Sequence, residues 1–443
     1  MNHTQYLIIG GGAAGTSAAE TVRGIDKDGS ITIISDEIHP LYSRVMLSKP
    51  NFFLGKIPFD QVWLKGEEWY KQNSVTFMGG KTAISLDTVN KIVTLKDCVI
   101  PAKAGIQDQT LDSRLRGNDN QQITYEKLLI ANGVRTRPWN VPGADKKGIY
   151  SLRTLEDGKA IMGAIKNTKR TVTIGGGFIS FEMADLLKLA GLETTMILRE
   201  SYFWEPTLDE ASGLMIEQAL TKAGIKIVKN AEVAEVIGNE SVEGVVLKDG
   251  TKIPCEMIIT GIGIVPPLLD WVKSAGVNIK DGILANEYLE TNIPDIYTAG
   301  DIAEYRDLIL EENIQLGNWV NAQEQGRIAG LNMVSTSTSN STPNTKTPFK
   351  FVSFYTTQGV GISIAFIGDA RPGPDRIIIQ RGSPEINSYA RILIVGKELV
   401  GATMINRTSE LTTIAKLIED NVDVSEKYKE LGDVSFDLKR LLN

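Results

Sequence analysis

Short apolar runs alternate with glycine-rich turns and helical stretches at two places along the chain. Residues 6–9 (YLII) are fully apolar, small residues from 13 to 19 open a helical stretch, and residues 30–35 (SITIIS) form a β-branched run. Apolar runs of this length are typical of parallel strands that are buried on both faces. The pattern predicts a β-α-β unit at the start of the chain.

The same pattern returns further along the chain. Residues 171–174 (TVTI) precede a second glycine turn, residues 178–190 place apolar side chains at helical spacing, and residues 194–198 form the next apolar run. Two such units predict either two nucleotide-binding domains or one domain and a degenerate copy.

The remaining segments have other patterns. Residues 74–95 and 123–131 predict a small antiparallel excursion that returns to the first sheet, and residues 232–259 alternate around a turn at 248–250. Beyond residue 348, strands at 376–380, 390–395 and 399–404 and a helix at 409–419 predict a separate C-terminal α+β module. The chain is therefore expected to be an α/β protein.

Two polar segments interrupt these elements. Residues 335–347 (STSTSNSTPNTKT) lack apolar content and predict a flexible linker. Residues 100–120 interrupt a hairpin and resemble the translated product of a palindromic genomic repeat. We interpret this insertion as a surface loop without a function of its own.

Composition narrows the class of protein. The 443 residues carry a net charge of −7 without a basic tract, which argues against nucleic-acid binding. No apolar run reaches the roughly 20 residues that cross a bilayer, and residues 1–5 do not resemble a secretory signal. Two cysteines cannot form a disulfide framework. These features predict a cytoplasmic enzyme.

The first glycine turn has the spacing of a dinucleotide site. Gly10 allows a tight turn, Gly12 lets a pyrophosphate approach the backbone, and Gly15 brings the helix close to the strand. The helix N-terminus then offers unpaired N–H groups to the phosphates, and Asp36 follows the next strand as an acceptor for an adenosine ribose. The alternative is a glycine turn without a ligand.

The second turn carries Gly175 and Gly177, but Ser180 stands at the third glycine position. Nucleotide binding and a vestigial fold both remain open. At the position where an acid usually selects NADH, the chain has Leu198, followed by Arg199 and Glu200. An apolar residue followed by a guanidinium leans toward NADPH, whereas Glu200 could still serve NADH.

Four motifs together resemble the FAD-dependent pyridine nucleotide–disulfide oxidoreductase superfamily, over nearly the whole chain. They are residues 10–15, 175–182, 298–301 (TAGD) and 319–327 (WVNAQEQGR). Residues 40–49 (PLYSRVMLSK) are similar to the ferredoxin/rubredoxin reductase branch and to the flavin part of NADH-dependent nitrite reductases.

The resemblance implies two Rossmann-like domains in the glutathione reductase-like arrangement and a small C-terminal α+β interface domain. The implied FAD-binding domain spans residues 1–145 and 266–334, and it contains the 100–120 insertion. The implied NAD(P)H-binding domain spans residues 146–265, and the C-terminal domain spans residues 348–443 after the 335–347 linker.

The resemblance also implies roles for single residues. Asp301 holds the ribityl chain of FAD, Lys49 lies near flavin N5 and pairs with Glu182, and Phe178 covers the nicotinamide pocket until the cofactor enters. The full set of implied FAD-site residues is Gly10, Gly12, Ala14, Gly15, Asp36, Glu37, Arg44, Lys49, Ala131, Gly133, Gly300, Asp301 and Trp319. The implied NAD(P)H-site residues are Gly175, Gly177, Phe178, Ile179, Arg199, Glu200 and Gly261.

Structural alternatives exist for several of these residues. Phe178 and Trp319 could fill a core, and Glu182 could be a charge on a helix surface. Residues 296–298 predict a strand, and Asp301 could be a turn residue after it. Residues 319–329 predict a helix that begins near the flavin, and the positive end of this helix could stabilise the negative charge that accumulates on reduced flavin.

The absence of closely spaced cysteines indicates which branch of the superfamily the chain resembles. Dithiol reductases need two closely spaced cysteines because the thiolate exchanges, and residues 42–49 and 65–66 contain none. The same absence excludes single-cysteine peroxidases and oxidases, so we interpret Cys98 and Cys255 as structural. Neither His3 nor His39 is placed like an acid–base histidine, and no metal-ligand spacing occurs.

The predicted activity is hydride transfer between NAD(P)H and FAD, with electrons passing to or from an external carrier. The branch implies a ferredoxin- or rubredoxin-like protein or a partner redox subunit, and a homodimer or a larger complex. Two alternatives stay open. One is a flavoprotein NAD(P)H oxidase, and the other is a non-catalytic flavin-binding subunit or sensor.

Overall fold

Both glycine turns connect a buried strand to a helix, as the apolar pattern predicts. The computed structural model describes residues 2–98, 120–267, 269–335 and 345–442. Most of the insertion predicted at 100–120 and most of the linker predicted at 335–347 lie outside the described residues.

Helices separate some of the strands, and other strands follow one another directly. In chain order the strands are β1 (Asn2–Ile9), β2 (Ile31–Ile34), β3 (Val75–Met78), β4 (Lys81–Asp87), β5 (Ile92–Asp97), β6 (Gln121–Ile130), β7 (Arg135–Thr136), β8 (Ile149–Ser151), β9 (Arg170–Ile174), β10 (Glu193–Ile197), β11 (Lys226–Val228), β12 (Val233–Ile237), β13 (Gly244–Leu247), β14 (Lys252–Pro254), β15 (Met257–Thr260), β16 (Ile264–Val265), β17 (Ile283–Ala285), β18 (Ile296–Thr298), β19 (Ala303–Arg306), β20 (Asn313–Ile314), β21 (Phe354–Gly359), β22 (Ile362–Gly368), β23 (Arg376–Ser383), β24 (Ser388–Val395) and β25 (Glu398–Ile405).

The helices vary widely in length. They are α1 (Ala13–Ile25), α2 (Pro50–Phe53), α3 (Glu67–Gln72), α4 (Leu155–Ile165), α5 (Phe178–Leu189), α6 (Glu210–Lys222), α7 (Asp270–Lys273), α8 (Trp319–Ser335), α9 (Leu411–Glu419) and α10 (Tyr428–Gly432). A 3₁₀ turn at Arg44–Ser48 leads into α2.

The chain forms two compact units, and both are discontinuous in sequence. Unit 1 consists of Met1–Ser43, Asp60–Arg135 and Val265–Ser353. Unit 2 consists of Arg44–Phe59, Thr136–Ile264 and Phe354–Asn443. The division of the chain by bound cofactor, with its boundaries at 145, 265 and 348, stays a prediction.

Unit 1 is built on a sheet with the order β3-β2-β1-β6-β5-β4, and β18 pairs with β6. Strands β3, β2, β1, β6 and β18 run parallel, whereas β4, β5 and β6 are antiparallel neighbours. The predicted excursion that returns to the first sheet is therefore confirmed.

Helices and loops cover both faces of this sheet. Tyr6 and Ile8 pack with α1 and α8 in one buried cluster, whereas Leu7 and Ile9 belong to a second cluster. Successive strand residues point to opposite faces, so a strand without polar residues is needed where both faces are covered. This explains why residues 6–9 are continuously apolar.

Unit 2 contains a parallel sheet of order β11-β10-β9-β15-β8 and an antiparallel sheet β12-β13-β14. The turn between β13 and β14 is the one predicted at 248–250. An antiparallel sheet of order β21-β22-β25-β24-β23 follows in the C-terminal segment, and α9 packs on it through Ile414, Leu417 and Ile418.

Most predicted elements are present, with shifted ends. The strands predicted at 171–174 and 296–298 and the helix at 178–190 agree with β9, β18 and α5 within one residue. The helix predicted at 319–329 continues to Ser335, and β21 and β22 were not predicted. Among the described residues, no helix has both the length and the apolar content to cross a membrane.

Candidate functional site

The first glycine turn is tightly packed on one side and open on the other. Gly10 has a φ of +125°, and a Cβ there would lie 2.1 Å from the carbonyl oxygen of Ala131. A Cβ on Gly15 would lie 1.9 Å from the carbonyl oxygen of Gly10. Nothing lies within 4 Å of a Cβ placed on Gly12, which precedes α1 and makes no side-chain cap. An uncapped helix start beside open space fits a phosphate group.

Two carboxylates follow β2, where a ribose is expected. Asp36 is half-exposed and lies 3.1 Å from the guanidinium of Arg135, and Glu37 accepts a 2.6 Å hydrogen bond from the Tyr42 hydroxyl. Both are in unit 1, beyond the carboxyl end of the strand. Either carboxylate can accept hydrogen bonds from sugar hydroxyls.

The TAGD segment lies at the end of β18 in the same unit. Gly300 has a φ of +82°, and its N–H donates a 2.6 Å hydrogen bond to Oε1 of Gln325 in α8. The Asp301 carbonyl accepts from the Gln315 amide at 2.7 Å. These contacts fix the backbone around Asp301.

Helix α8 begins at Trp319, which is partly exposed and does not belong to the buried core. Asn318 precedes the helix, and its Oδ1 accepts from the N–H of Asn321 at 2.8 Å. Ala14 is buried and lies 3.2 Å from a Cβ placed on Gly300, and Gly133 has a φ of +62°.

The second glycine turn, in unit 2, repeats the geometry of the first. Gly175 has a φ of +103°, and a Cβ there would lie 2.5 Å from the carbonyl oxygen of Gly261. Gly177 precedes α5 and makes no side-chain cap, and Ile179 in the first turn is partly exposed. The helix start fits a phosphate group as α1 does.

Ser180 closes this turn in place of the third glycine. Its hydroxyl donates to the carbonyl of Ile174 at 3.1 Å, with Gly261 O at 3.5 Å. A Cβ on Gly261 would lie 2.1 Å from the Ser180 Oγ. The serine therefore replaces the missing close approach with hydrogen bonds, and Gly261 provides the space that it needs.

The residues after β10 differ in exposure. Leu198 is fully buried, so it cannot contact a ribose. Arg199 is 77% exposed and its Nε lies 2.6 Å from Oε1 of Glu200. This contact raises the pKa of Arg199. The Glu200 Oε2 is buried without a hydrogen-bond partner, which leaves one acceptor available to a ligand.

A buried carboxylate lies one turn into α5. Glu182 is 3% exposed, and its Oε1 lies 2.5 Å from the ammonium nitrogen of Lys49, which follows the 3₁₀ turn of unit 2. Thr357 Oγ1 and Tyr355 OH donate to the same oxygen at 2.6 and 3.1 Å. Ser48 Oγ donates to Oε2. Glu182 is therefore not a charge on the helix surface.

Phe178, at the start of α5, lies in an aromatic cluster. Its ring centroid is 3.8 Å from that of Tyr355, 4.2 Å from that of Trp204 and 5.2 Å from that of Phe366. Phe178 remains partly exposed. Arg44 donates from its guanidinium to the carbonyl of Arg153 at 2.7 Å.

The two cysteines are free thiols in chemically quiet places. Cys255 is fully buried, and burial raises its pKa to about 12. Cys98 donates to Thr82 Oγ1 at 3.4 Å, and burial raises its pKa too. Because the thiolate is the reactive species, both cysteines are poor candidates for redox exchange.

Histidine and acidic side chains do not form a metal-binding site in the described part of the chain. His3 contacts Thr124, with its Nδ1 3.0 Å from the threonine hydroxyl, and His39 packs on Trp63 at 5.7 Å between ring centroids. Within residues 2–98, 120–267, 269–335 and 345–442, no group of three His, Cys, Asp or Glu side chains is placed to hold a metal ion.

The sequence did not indicate Ser48, Tyr355 and Thr357, which complete the surroundings of Glu182. Ser48 directly precedes Lys49 in the motif at residues 40–49, so its position beside Lys49 was an available signal. Tyr355 and Thr357 lie on β21, a strand that was not predicted. The alternating apolar residues of β22 were the available signal for that hairpin.

The chain is similar in sequence to known oxidoreductases. Residues 4–326 match the family model described as pyridine nucleotide-disulphide oxidoreductase. The chain is 28% identical over 432 residues to the nitrite reductase [NAD(P)H] of Bacillus subtilis, covering 97% of this chain and 49% of the relative. It is 30% identical over 421 residues to the NADH-rubredoxin oxidoreductase of Clostridium acetobutylicum, covering 95% of this chain and 96% of the relative.

A solved structure is similar over almost the whole length. The ferredoxin reductase from Rhodopseudomonas palustris superposes with a TM-score of 0.84 at 23% sequence identity, covering 99% of both chains. This likeness confirms the predicted fold class, with two Rossmann-like domains and a small C-terminal α+β domain. The chain spans about half the length of the nitrite reductase that it matches.

Proposed function

Because the chain belongs to the pyridine nucleotide-disulphide oxidoreductase family, we propose that it is an FAD-dependent NAD(P)H:acceptor oxidoreductase. It exchanges hydride between NAD(P)H and FAD and passes electrons to or from an external carrier protein or a partner redox subunit. The observation that carries the proposal is the pair of glycine turns, each with an uncapped helix start that fits a pyrophosphate.

The residues of unit 1 fit the binding of FAD. Gly12 leaves open space beside the start of α1, and Asp36 and Glu37 offer acceptors for ribose hydroxyls. Asp301 has a backbone fixed by its neighbours and is assigned to the ribityl hydroxyls. FAD, when bound, supplies a ring that accepts and releases two electrons.

The residues of unit 2 are assigned to NAD(P)H and to the redox centre. Gly175 and Gly177 would bind the pyrophosphate of NAD(P)H, and Phe178 would exclude water from the empty nicotinamide pocket. Lys49 supplies a positive charge that Glu182 orients and balances, since two opposite charges can be buried together more easily than either one alone. Trp319 and Arg44 are assigned to the surroundings of the flavin.

The chain's own thiols do not accept the electrons in this scheme. Cys98 and Cys255 have raised pKa values because they are buried, so neither presents a thiolate. Relatives are named for rubredoxin and nitrite as their partners or substrates. We therefore propose an iron–sulfur carrier or a larger redox complex as the partner, and a homodimer or complex as the assembly. Cytoplasmic residence stays a prediction.

The test is anaerobic mixing of the FAD-loaded protein with NADH and, separately, with NADPH. We expect the visible flavin absorption to bleach within seconds, and addition of a rubredoxin or ferredoxin to restore it. Bleaching followed by rapid peroxide formation in air, without a carrier, would favour an oxidase. No bleaching with either nucleotide would contradict the proposal and favour a flavin-binding subunit or sensor.

A substitution at Lys49 tests its place in the redox centre. Lys49→Ala removes the charge that Glu182 balances, so we expect flavin reduction to slow by about 10²-fold while FAD remains bound. Stopped-flow absorbance gives the rate, and the flavin-to-protein ratio gives the FAD content. Lys56→Ala, at an exposed lysine of the same segment, is the control. An unchanged rate in Lys49→Ala would remove Lys49 from the site.

A further inference from the structure

Strand β21 of the C-terminal segment reaches the buried carboxylate of α5. Thr357 Oγ1 donates to Glu182 Oε1 at 2.6 Å and Tyr355 OH donates to the same oxygen at 3.1 Å. Lys49 contacts that oxygen at 2.5 Å, and Ser48 occupies the other one. Both carboxylate oxygens are thus held, and three of the four donors are neutral hydroxyls.

The spacing along β21 brings two of these donors to one face of the strand. Tyr355 and Thr357 are two positions apart, so their side chains point the same way, while Thr356 between them points away and is exposed. Thr357 is 3% exposed. A buried threonine that donates to a buried carboxylate leaves an unmet acceptor when its hydroxyl is removed.

The hairpin that follows β21 contacts α5 a second time. The N–H of Val360 donates to Asp185 Oδ1 at 3.2 Å, one helical turn after Glu182. Burial, together with the nearby negative charge of Glu182, raises the pKa of Asp185. The hairpin therefore fixes α5 at two successive turns, which limits how far Glu182 can move.

Tyr355 links the carboxylate to the aromatic cluster. Its hydroxyl contacts Glu182, and its ring lies 3.8 Å from that of Phe178 between centroids. Burial and the adjacent Glu182 charge raise the pKa of Tyr355, so its hydroxyl keeps its proton and remains a donor. Tyr355 therefore contacts both Glu182 and Phe178.

We infer that Thr357 and Tyr355 are positioning residues that orient Glu182, and through it Lys49, for flavin reduction. The inference rests on the proposed function, because it assigns the Glu182–Lys49 pair to the redox centre. It makes the C-terminal segment part of the machinery that sets the rate, in addition to any role as an interface.

The first experiment removes one hydroxyl without changing side-chain volume. Thr357→Val should lower the limiting rate of flavin reduction by NADH about tenfold, since hydrogen bonds to charged groups are among the stronger ones. The apparent Kd for NADH and the FAD content should stay within twofold of wild type. Thr357→Ser, which restores the hydroxyl, should recover the rate, and Thr356→Val on the exposed face is the matched control.

A second experiment asks whether Thr357 acts through Glu182. If it does, the double variant Thr357→Val with Glu182→Gln should reduce flavin no more slowly than Glu182→Gln alone. Tyr355→Phe keeps the ring on Phe178 and removes only the hydroxyl, so it should also lose rate, by about threefold to tenfold.

The outcomes distinguish a failure of the proposed function from a failure of the inference about Thr357. If the wild-type protein does not bind FAD or bleach with NADH or NADPH, the proposed function fails. If wild type bleaches but Thr357→Val equals Thr356→Val in rate, the inference alone is overturned. Additive losses in the double variant would overturn it too, because Thr357 would then act independently of Glu182.

Discussion

Ser180 shows how one residue can replace another by a different physical means. A glycine at this position lets a helix approach a strand because it has no side chain. Here the serine side chain lies in the gap and hydrogen-bonds to the carbonyl of Ile174, while Gly261 opposite has no Cβ to collide with it. The sequence showed the serine, but only the structure shows that Gly261 compensates for it.

We predict that neighbouring residues after β10 set the selectivity between NADH and NADPH. Leu198 is fully buried, so it cannot contact the ribose of either nucleotide. Arg199 is exposed, and we expect it to contact a 2′-phosphate. Glu200 has a buried oxygen without a hydrogen-bond partner, which we expect to accept from a 2′-hydroxyl. The two side chains contact each other, so each one restrains the other.

Arg199→Leu tests the lean toward NADPH. Loss of the guanidinium should raise the KM for NADPH about tenfold, because a charge-assisted contact to phosphate is lost, and should change the KM for NADH much less. Steady-state reduction of an artificial acceptor with each nucleotide measures both constants. Arg306→Leu, at an exposed arginine of β19, is the control. An equal rise in both KM values would show that Arg199 does not distinguish them.

Site residues that lie within the family motifs could be predicted from the sequence. Site residues on a strand that is distant in sequence could not. Lys49 and Glu182 were named because each lies in a motif of the family, and the structure brings them together. Thr357 donates to Glu182 from a strand far away in sequence. A single hydroxyl on a short strand leaves no periodic signal, so only the fold could bring it to the site.

Helices α1 and α8 pack closely because both present small residues. A Cβ on Gly326 would lie 2.1 Å from the carbonyl oxygen of Ala14, and one on Gly330 would lie 2.8 Å from that of Ala18. The Ser17 hydroxyl also donates to the carbonyl of Gln323 at 2.8 Å. The start of α1 and the start of α8, which are both assigned to FAD, are therefore held by one helix–helix contact.

This contact also explains the error in the predicted end of α8. The predicted helix stopped at residue 329, directly before Gly330, whereas the helix continues to Ser335. Gly330 is inside the helix because a larger side chain would collide with α1, and the packing offsets its low helix propensity. Sequence pattern alone does not distinguish a glycine that ends a helix from one that packs against another.

Gly326→Ala is the corresponding test at the level of the element. The added methyl group pushes α8 from α1, and overpacking of this kind costs about 1–3 kcal/mol. We expect a lower unfolding midpoint and a reduced flavin-to-protein ratio after purification, measured by differential scanning fluorimetry and absorbance. Gly24→Ala in α1, where a Cβ meets nothing within 4 Å, is the control. Full FAD content with an unchanged unfolding midpoint would show that the contact between α1 and α8 accommodates the added methyl group.

At the level of the whole molecule, the apolar runs predicted the parallel sheets well. The family resemblance, carried by four short motifs, is confirmed by a match over residues 4–326. The grouping of segment 44–59 with unit 2 could not be predicted, because it depends on packing such as that of Leu47, 3.4 Å from a Cβ placed on Gly158. Contacts between distant segments have no local pattern.

The C-terminal sheet depends on buried charge as well as on apolar packing. Asp369, directly after β22, is 2% exposed and accepts hydrogen bonds from Arg371 at 2.7 and 2.8 Å and from Arg376 at 2.5 Å. Burial by itself raises the pKa of Asp369, but the hydrogen bonds from the two arginines outweigh it and hold the pKa below its usual 3.8. The carboxylate is therefore favoured in the folded protein.

The sign of the pH dependence follows from that lowered pKa. A group with a lower pKa in the folded state stabilises the protein above its unfolded pKa, and this contribution is lost as the pH falls through the folded pKa. Asp369→Asn should therefore lower the free energy of unfolding by about 3 kcal/mol at pH 7, because two buried or half-buried guanidinium groups lose their partner. The deficit should begin to shrink as the pH falls below 3.8, where the unfolded chain takes up a proton, and should disappear only below the lower pKa of the folded protein.

Urea unfolding of both proteins, followed by circular dichroism from pH 7 to pH 3, measures this difference. Asp375→Asn, at an exposed aspartate in the same loop, is the control and should follow wild type throughout. A deficit in Asp369→Asn that stays constant over the pH range would mean that the shape of the side chain, and not its charge, supports the C-terminal sheet. A deficit that shrinks would show that the charge of Asp369, through its ion pairs with Arg371 and Arg376, stabilises the folded protein.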